Sequence, residues 1–135
     1  MAIFVDTSVW SLALRRDTAS DLPEVTYLRE CLEAGETVVT TGLVLQELLQ
    51  GFSGPKAQRS IVERFAALPS CYPDRQDHIG AAGLRNRCRR AGIEIGTIDA
   101  VLIQLCNRHS LTMLTTDQDF FLSARETGIL LWKTP

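Results

Sequence analysis

Residues 3–10 of the chain read IFVDTSVW, and this stretch decides how the rest of the sequence is interpreted. Its first three residues are apolar and partly β-branched, which is typical of a short strand buried on both faces of a parallel sheet. Asp6 ends the run, and Thr7 and Ser8 carry hydroxyls suited to capping a helix that follows. Asp6 is therefore expected at the carboxyl edge of a sheet, where open α/β folds bind their ligands. Taken alone, Asp6 is more simply explained as a turn and capping residue.

The composition is that of one ordinary domain spanning residues 1–135. Hydrophobic residues make up 45% and charged residues 22%, close to the average of soluble globular proteins. The net charge of −2 argues against a generally basic nucleic-acid binder. No apolar run approaches the roughly 18 residues of a transmembrane helix, and no secretory signal is evident, so a cytoplasmic protein is expected.

Cysteine and histidine usage argues against a disulfide framework and against a zinc site. The four cysteines, Cys31, Cys71, Cys88 and Cys106, are far apart and form no CxxC pair, so we expect reduced, mostly buried thiols. A zinc site is poorly supported because the chain has only two histidines.

Strands and helices alternate along the chain. The predicted strands are residues 3–5, 37–40, 111–115 and 129–132, with a further edge strand at residues 70–72 between two prolines. Three of the intervening helices have predicted N-terminal caps. One is a capping box of Asp21 and Glu24, and the other two are Asp74 and Thr97. We therefore expect a three-layer α/β/α domain with a mostly parallel sheet of four or five strands.

Later acidic residues fall in settings comparable to that of Asp6. Glu47 lies in a leucine-rich helix, Asp99 in the first turn of a helix that is apolar almost all round, and Asp117 after the strand at residues 111–115. Asp119 follows two residues on. Each has an ordinary explanation: a solvated helix stripe for Glu47, a helix macrodipole worth about 0.3–1 kcal/mol for Asp99, and capping for the other two. Parallel strand ends and helix N-termini nevertheless gather at one edge of a sheet, which would bring these carboxylates together.

Such a cluster requires a cation. Two like charges about 4 Å apart repel by roughly 4 kcal/mol at an effective dielectric near 20, a large penalty for a marginally stable domain. Mg²⁺ relieves this repulsion, since it prefers a few carboxylates plus water, and such a site can support displacement at phosphorus.

In these motifs the sequence resembles the PIN-domain ribonucleases, in particular the VapC-type toxins of bacterial toxin–antitoxin pairs. The matching stretches are VDTSVW at residues 5–10, VLQELLQG at 44–51, GTIDAVLIQLC at 96–106 and LTTDQDF at 114–120. The resemblance implies that an acidic quartet of Asp6, Glu47, Asp99 and Asp117 binds Mg²⁺ or Mn²⁺, with Asp119 as a further participant. It also implies that the hydroxyls of Ser8 and Thr116 support these carboxylates.

The same resemblance implies an activity and a partner. Asp6 and Asp99 would hold the metal, and Glu47 or Asp117 would orient a water that attacks an RNA phosphodiester, leaving a 5′ phosphate and a 3′ hydroxyl. A VapB-type antitoxin is expected to place an Arg or Lys near the carboxylates. The leucine-rich residues 43–49 exceed what one small core needs, so we also expect a homodimer.

Basic residues crowd into one short stretch. Arg85, Arg87, Arg89 and Arg90 are candidate RNA contacts, as are Arg15 and Arg16. The ordinary explanation is that cations are favoured in the last turn of a helix and on its solvated face.

Three other functions compete. A haloacid-dehalogenase-type phosphatase needs a second Asp two residues after the first, where this chain has Ser8. A phospho-receiver domain needs an acidic pair after its first strand, where only Asp6 is present. The third alternative is a catalytically inactive PIN-like module that binds RNA or protein, and a metal-binding titration distinguishes it from a nuclease.

Overall fold

The N-terminal apolar run forms the central strand of the sheet, β1 (Ile3–Val5), whose three side chains are all buried. The structure, a computed structural model, describes residues 2–15 and 20–135. β1 pairs in parallel with β2 (Val38–Val39) and with β3 (Thr112–Leu114), and β3 pairs in parallel with β4 (Leu130–Leu131). The order β2-β1-β3-β4 confirms the predicted parallel sheet, although β2, β3 and β4 are shorter than the predicted runs.

The helices of the described ranges form two sets. They are α1 (Thr7–Leu14), α2 (Pro23–Glu33), α3 (Gly42–Gly51), α4 (Pro55–Ala66), α5 (Arg75–Arg90), α6 (Thr97–His109) and α7 (Gln118–Thr127). In one set α1 packs on α2 and α3, and α3 packs on α4; in the other, α5 packs on α6 and α7. With the sheet between them, the two sets make the predicted three-layer α/β/α fold.

Residues 70–72 do not form a fifth strand. The segment makes a single parallel bridge, between Thr40 and Ser70. The Thr40 N–H donates to the Pro69 carbonyl at 2.9 Å, and the Cys71 N–H donates to the Thr40 carbonyl at 2.9 Å. The flanking prolines lack the N–H groups that would extend this ladder, so the pairing ends after one bridge.

Two of the three predicted helix caps are corrected. Asp74 does cap α5, in a capping box with Asp77. α2, in contrast, begins at Pro23 with Leu22 as its N-cap and no side-chain capping bond, because proline favours the first helical position and leaves Asp21 outside the helix. Thr97 is the first residue of α6, and Gly96 is the N-cap.

The structure bears on two of the composition-based expectations, those for the cysteines and for membrane spans. All four cysteines are free, and three of them are buried, with Cys71 partly buried. No helix in the described ranges is long and apolar enough to span a bilayer. Arg16, a predicted RNA contact, lies outside these ranges.

Candidate metal centre

The parallel pairing of β1 and β3 brings two of the predicted carboxylates to the same edge of the sheet. Asp6 directly follows β1 and is the N-cap of α1, and Asp117 is the N-cap of α7, three residues after β3 ends. Val5 is paired with Leu114, and the Asp6 N–H donates to the Leu114 carbonyl at 3.0 Å. The carboxyl ends of the two strands are thus adjacent, as the sequence predicted.

Asp6 is more than a helix cap. It is only 6% exposed, and its Oδ2 accepts hydrogen bonds from the Ser8 hydroxyl at 2.8 Å and the Thr115 hydroxyl at 2.9 Å. The capping bond from the Ser8 N–H is longer, at 3.4 Å. Within the described residues all these donors reach Oδ2, which leaves Oδ1 available as a ligand atom.

Thr115 is a site residue that sequence reasoning missed. Besides donating to Asp6, its hydroxyl accepts a bond from the Asp117 N–H at 3.0 Å, so it joins the two strand-end acids. Thr116 was predicted to supply this kind of hydroxyl, but it contributes its peptide N–H, which donates to Ser8 Oγ at 3.1 Å. Successive side chains of extended backbone point to opposite sides, so only one of the two threonines can face Asp6. The strand register identifies which one, and the sequence does not give that register.

Three carboxylates form the tightest group. Asp99, Asp117 and Asp119 each offer one oxygen such that all three oxygens lie within 4.8 Å of one another. The Asp119 N–H donates to Asp117 Oδ1 at 2.9 Å, which ties the start of α7 to this group. Asp119, predicted as a further participant, therefore belongs to the same group as Asp99 and Asp117.

The pKa of Asp99 reports the convergence of all five acids. Its pKa is raised from 3.8 to about 6, first by burial and then by the charges of Asp6, Asp117, Glu47 and Asp119, in that order. Glu47 is exposed on α3, and its Oε1 accepts a hydrogen bond from the Thr7 hydroxyl at 3.0 Å. It therefore lies at the rim of the cluster, next to the residue that follows Asp6.

Among the residues that the structure describes, no basic side chain pairs with this cluster. Within residues 2–15 and 20–135, none of the five acids forms an ion pair with a basic side chain; the ion pairs described there join Arg108 to Asp74 and Asp77. Carboxylate oxygens that repel one another and have no basic partner match the ligand preference of a hard divalent cation. The donor set therefore fits Mg²⁺ or Mn²⁺.

The predicted arginine cluster divides into separate environments. Arg85 is partly buried, donating from Nε to the Ile95 carbonyl at 2.8 Å and from Nη1 to the Thr97 hydroxyl at 3.4 Å. Arg87 donates instead to the carbonyl of Glu126 in α7, at 3.3 Å. Arg89 lines a cavity together with Arg85, and Arg90 is exposed. The four side chains do not form one continuous surface.

Comparison with known proteins gives a consistent family signal. A family model described as PIN domain matches residues 3–125. Solved structures of similar fold include VapBC2 from Rickettsia felis bound to a fragment of promoter DNA, with a TM-score of 0.76, 18% identity and 98% of each chain covered. DNA-bound VapBC from Salmonella typhimurium has a TM-score of 0.74 and 21% identity, again with 98% of each chain covered. Mycobacterium tuberculosis VapC20, described as a Sarcin-Ricin loop cleaving toxin, has a TM-score of 0.68 and 18% identity over 90% of this chain and 94% of its own. Among curated protein sequences, none matches significantly.

Proposed function

The chain belongs to the PIN-domain family, and we propose that it is a metal-dependent endoribonuclease, the toxin of a type II toxin–antitoxin pair. The observation that carries the nuclease proposal is the group of Asp99, Asp117 and Asp119 at the carboxyl edge of the sheet, with Asp6 and Glu47 near enough for their charges to raise the pKa of Asp99 and with no basic partner in the described residues. Structural neighbours that are VapBC complexes support the toxin–antitoxin assignment.

The ligands proposed for the ion are Asp6, Asp99 and Asp117, with Asp119 close enough to take part and Glu47 at the rim. A bound Mg²⁺ or Mn²⁺ would polarise the phosphoryl group and lower the pKa of water. Ser8 and Thr115 fix the Asp6 carboxylate through Oδ2, which leaves Oδ1 for the proposed ion. Holding a ligand in place through such hydrogen bonds typically changes metal affinity or activity by about 10–100-fold.

The chain's own side chains supply proton handling. Glu47, held by Thr7, and Asp117 are the acids proposed to orient the attacking water and to accept its proton. The water oxygen forms the new bond to phosphorus, the bond from phosphorus to the 3′ oxygen breaks, and that oxygen leaves with a proton. The products are a 5′ phosphate and a 3′ hydroxyl.

The partners proposed are an RNA substrate, a cognate VapB-type antitoxin and a second copy of the chain, all in the cytoplasm. The acidic cluster offers a binding place for one basic side chain, so the antitoxin is proposed to insert an Arg or Lys there.

The homodimer is proposed because the leucines of residues 43–49 are only partly buried in the core of one chain. Leu48 is buried, whereas Leu43, Leu45 and Leu49 are partly buried. Light scattering at high micromolar concentration should give twice the chain mass, and a monomer there would contradict the dimer.

The nuclease proposal is tested with a 5′-labelled single-stranded RNA incubated with the purified chain in Mg²⁺, in Mn²⁺ and in EDTA. Cleavage is expected with either metal and not in EDTA, and the downstream fragments should carry 5′ phosphates. Asp99→Asn should lose cleavage by at least about 100-fold while its circular dichroism spectrum stays that of the parent, because the substitution preserves side-chain volume. Metal-independent cleavage, cyclic phosphate ends, or an Asn variant as active as the parent would overturn the proposal. RNA binding without cleavage in any metal would identify an inactive PIN-like module.

A further inference from the structure

A cavity lies between α5 and α6, the helix that carries Asp99. These helices run antiparallel, because Asp77 near the start of α5 contacts Gln104 and Arg108 near the end of α6, while Arg85 contacts Thr97 at the start of α6. The helices are closest near Gly80, where an added Cβ would come within 2.7 Å of the Gln104 side chain. Beside this contact the lining includes Ala81, Ala82 and Ala100, and a cavity of about 200 Å³ extends along α5 from His78 to Arg89, much larger than the roughly 30 Å³ of one water.

The polar lining of this cavity is basic or neutral. It consists of two guanidinium groups, from Arg85 and Arg89, with the His78 ring, the Asn86 carboxamide and the Thr97 hydroxyl. No carboxylate lines the cavity, and neither arginine forms an ion pair within residues 2–15 and 20–135. Residues 78, 82, 85, 86 and 89 recur at helical spacing, so one face of α5 presents all of these groups. The site therefore has the chemistry of an anion receptor.

The cavity adjoins the acidic cluster. Its floor includes Thr97 and Ala100 in the first turns of α6, the helix that carries Asp99. Asp99 lies over Gly96, since an added Cβ there would be 3.5 Å from its Oδ2. Arg85 donates to the Ile95 carbonyl and to the Thr97 hydroxyl, on either side of that glycine. Only the segment 95–97 separates the cationic cavity from the carboxylates.

We propose that this cavity binds a backbone phosphate of the RNA strand next to the phosphodiester that is cleaved. The inference rests on the proposed nuclease function and adds a discrete subsite to it. Arginine guanidinium groups match phosphate oxygens in a bidentate arrangement, and Asn86 and Thr97 supply neutral donors. A chain of net charge −2 with an acidic centre repels a polyanion, so local cations beside that centre are required to hold the strand. The subsite uses Arg85 and Arg89 and leaves out Arg87 and Arg90.

The test measures the binding of a labelled single-stranded RNA by fluorescence anisotropy. The measurement is made in EDTA, so that metal-dependent cleavage does not interfere. Arg89→Ala should weaken binding about tenfold, as expected for one hydrogen-bonded charge contact, and should lower the slope of log affinity against log salt by about 0.7. The matched control is Arg75→Ala, an exposed arginine at the other end of the same helix, about 21 Å from Arg89 along the axis. It should change the affinity less than twofold. Equal effects of the two substitutions would overturn the proposal.

A second pair of variants tests the cavity itself. Ala82 is exposed at its mouth, so Ala82→Glu places a carboxylate there and Ala82→Gln adds the same bulk without charge. The Glu variant should bind RNA at least about fivefold more weakly than the Gln variant, by like-charge repulsion. Identical binding by the two would count against a phosphate at this place.

Competition identifies the source of the anion. Millimolar inorganic phosphate should compete with RNA in the parent and not in Arg89→Ala. If an acidic peptide binds in an Arg89-dependent way while RNA and phosphate do not bind, the cavity would be reassigned to a protein partner and the proposal overturned. If the parent cleaves RNA in Mg²⁺ and Arg89→Ala binds RNA as tightly as the parent, the phosphate subsite would be wrong and the proposed nuclease function would stand. If RNA binding depends on Arg89 but no cleavage occurs in either metal, the phosphate subsite would be supported and the proposed nuclease function contradicted.

Discussion

The two ends of α6 hold carboxylates in opposite electrostatic environments. At its start, the pKa of Asp99 is raised to about 6 by burial and by neighbouring acids. At its end, Arg108 contacts Asp77 and lies 3.4 Å from Asp74 Oδ2. Asp77 is only 1% exposed, yet its pKa is lowered, because the Asp74 N–H, Gln104 and Arg108 outweigh the effect of burial. Burial alone therefore does not raise the pKa of an acid in this fold, whereas burial beside other acids, with no basic partner among the described residues, does.

The acids at the two ends of α6 are therefore expected to contribute differently to the stability of the fold and to the proposed function. The Asp74–Asp77–Arg108 contacts join the start of α5 to the end of α6 and complete a capping box, so they stabilise the fold. The charges of the Asp99 cluster repel one another, and protonation of Asp99 or the proposed cation would relieve that repulsion. Strain of this kind persists at sites where the rest of the structure holds it in place.

The largest effect on stability is expected at the end of α6. Asp77→Ala should lower the free energy of unfolding by about 2 kcal/mol, since it removes one of the two acidic partners of Arg108 and one half of a capping box. Asp74→Ala, at a more exposed carboxylate, should cost about 1 kcal/mol. Urea denaturation measures both, and a loss below about 0.5 kcal/mol in Asp77→Ala would mean that the ion pair does not hold the two helices.

A smaller effect on stability and a clear effect on function are expected at Thr115. Thr115→Val keeps the shape of the side chain but removes the hydroxyl between Asp6 and Asp117, so it should cost about 1–2 kcal/mol and reduce RNA cleavage by roughly 10–100-fold. Thr116→Val retains its N–H bond to Ser8 and should cleave like the parent. If Thr116→Val is the more damaging of the two, the strand register at this edge is wrong.

The threonines also show what the sequence could and could not reveal. Patterns local to the chain predicted the strands, placed Asp6 and Asp117 after two of them and placed Asp99 at the start of a helix, because strand and helix termini have short-range signals. The choice between Thr115 and Thr116 depends on how β3 aligns with β1, which is a long-range property of the sheet. The position of Asp119 within the tightest acidic group likewise depends on how α7 begins.

The arginine run shows the same limit. Four basic residues in six positions suggested one RNA-facing patch, but helical geometry sends successive side chains in different directions. Arg87 bonds to the end of α7, while Arg85 and Arg89 share a cavity. Predicting this division from the sequence would require knowing which helices pack against α5.

A further expected effect is a dependence of stability on pH with opposite sign at the two ends of α6. In EDTA, native Asp99 binds more protons than the unfolded chain between its ordinary pKa of 3.8 and its folded pKa of about 6, so its contribution falls as pH rises through that window. Asp77, whose pKa is lowered, contributes stability above 3.8 that is lost as pH falls. Between pH 4.5 and 7, Asp99→Asn should therefore gain stability relative to the parent as pH rises. Parallel curves for the two proteins would contradict the raised pKa.

The convergence of the carboxylates on a divalent cation is tested most directly by melting curves of the parent and Asp99→Asn, in EDTA and in Mg²⁺ or Mn²⁺. Asp99 is the cleaner position to neutralise, because Asp6 also accepts bonds from Ser8 and Thr115 that a substitution would disturb. In EDTA the Asn variant should melt a few degrees above the parent, since part of the repulsion is gone. Metal at about ten times its dissociation constant should stabilise the parent by roughly 1.4 kcal/mol and the variant hardly at all. A parent indifferent to both metals, with an Asn variant no more stable than the parent in EDTA, would contradict a metal centre at this edge of the sheet.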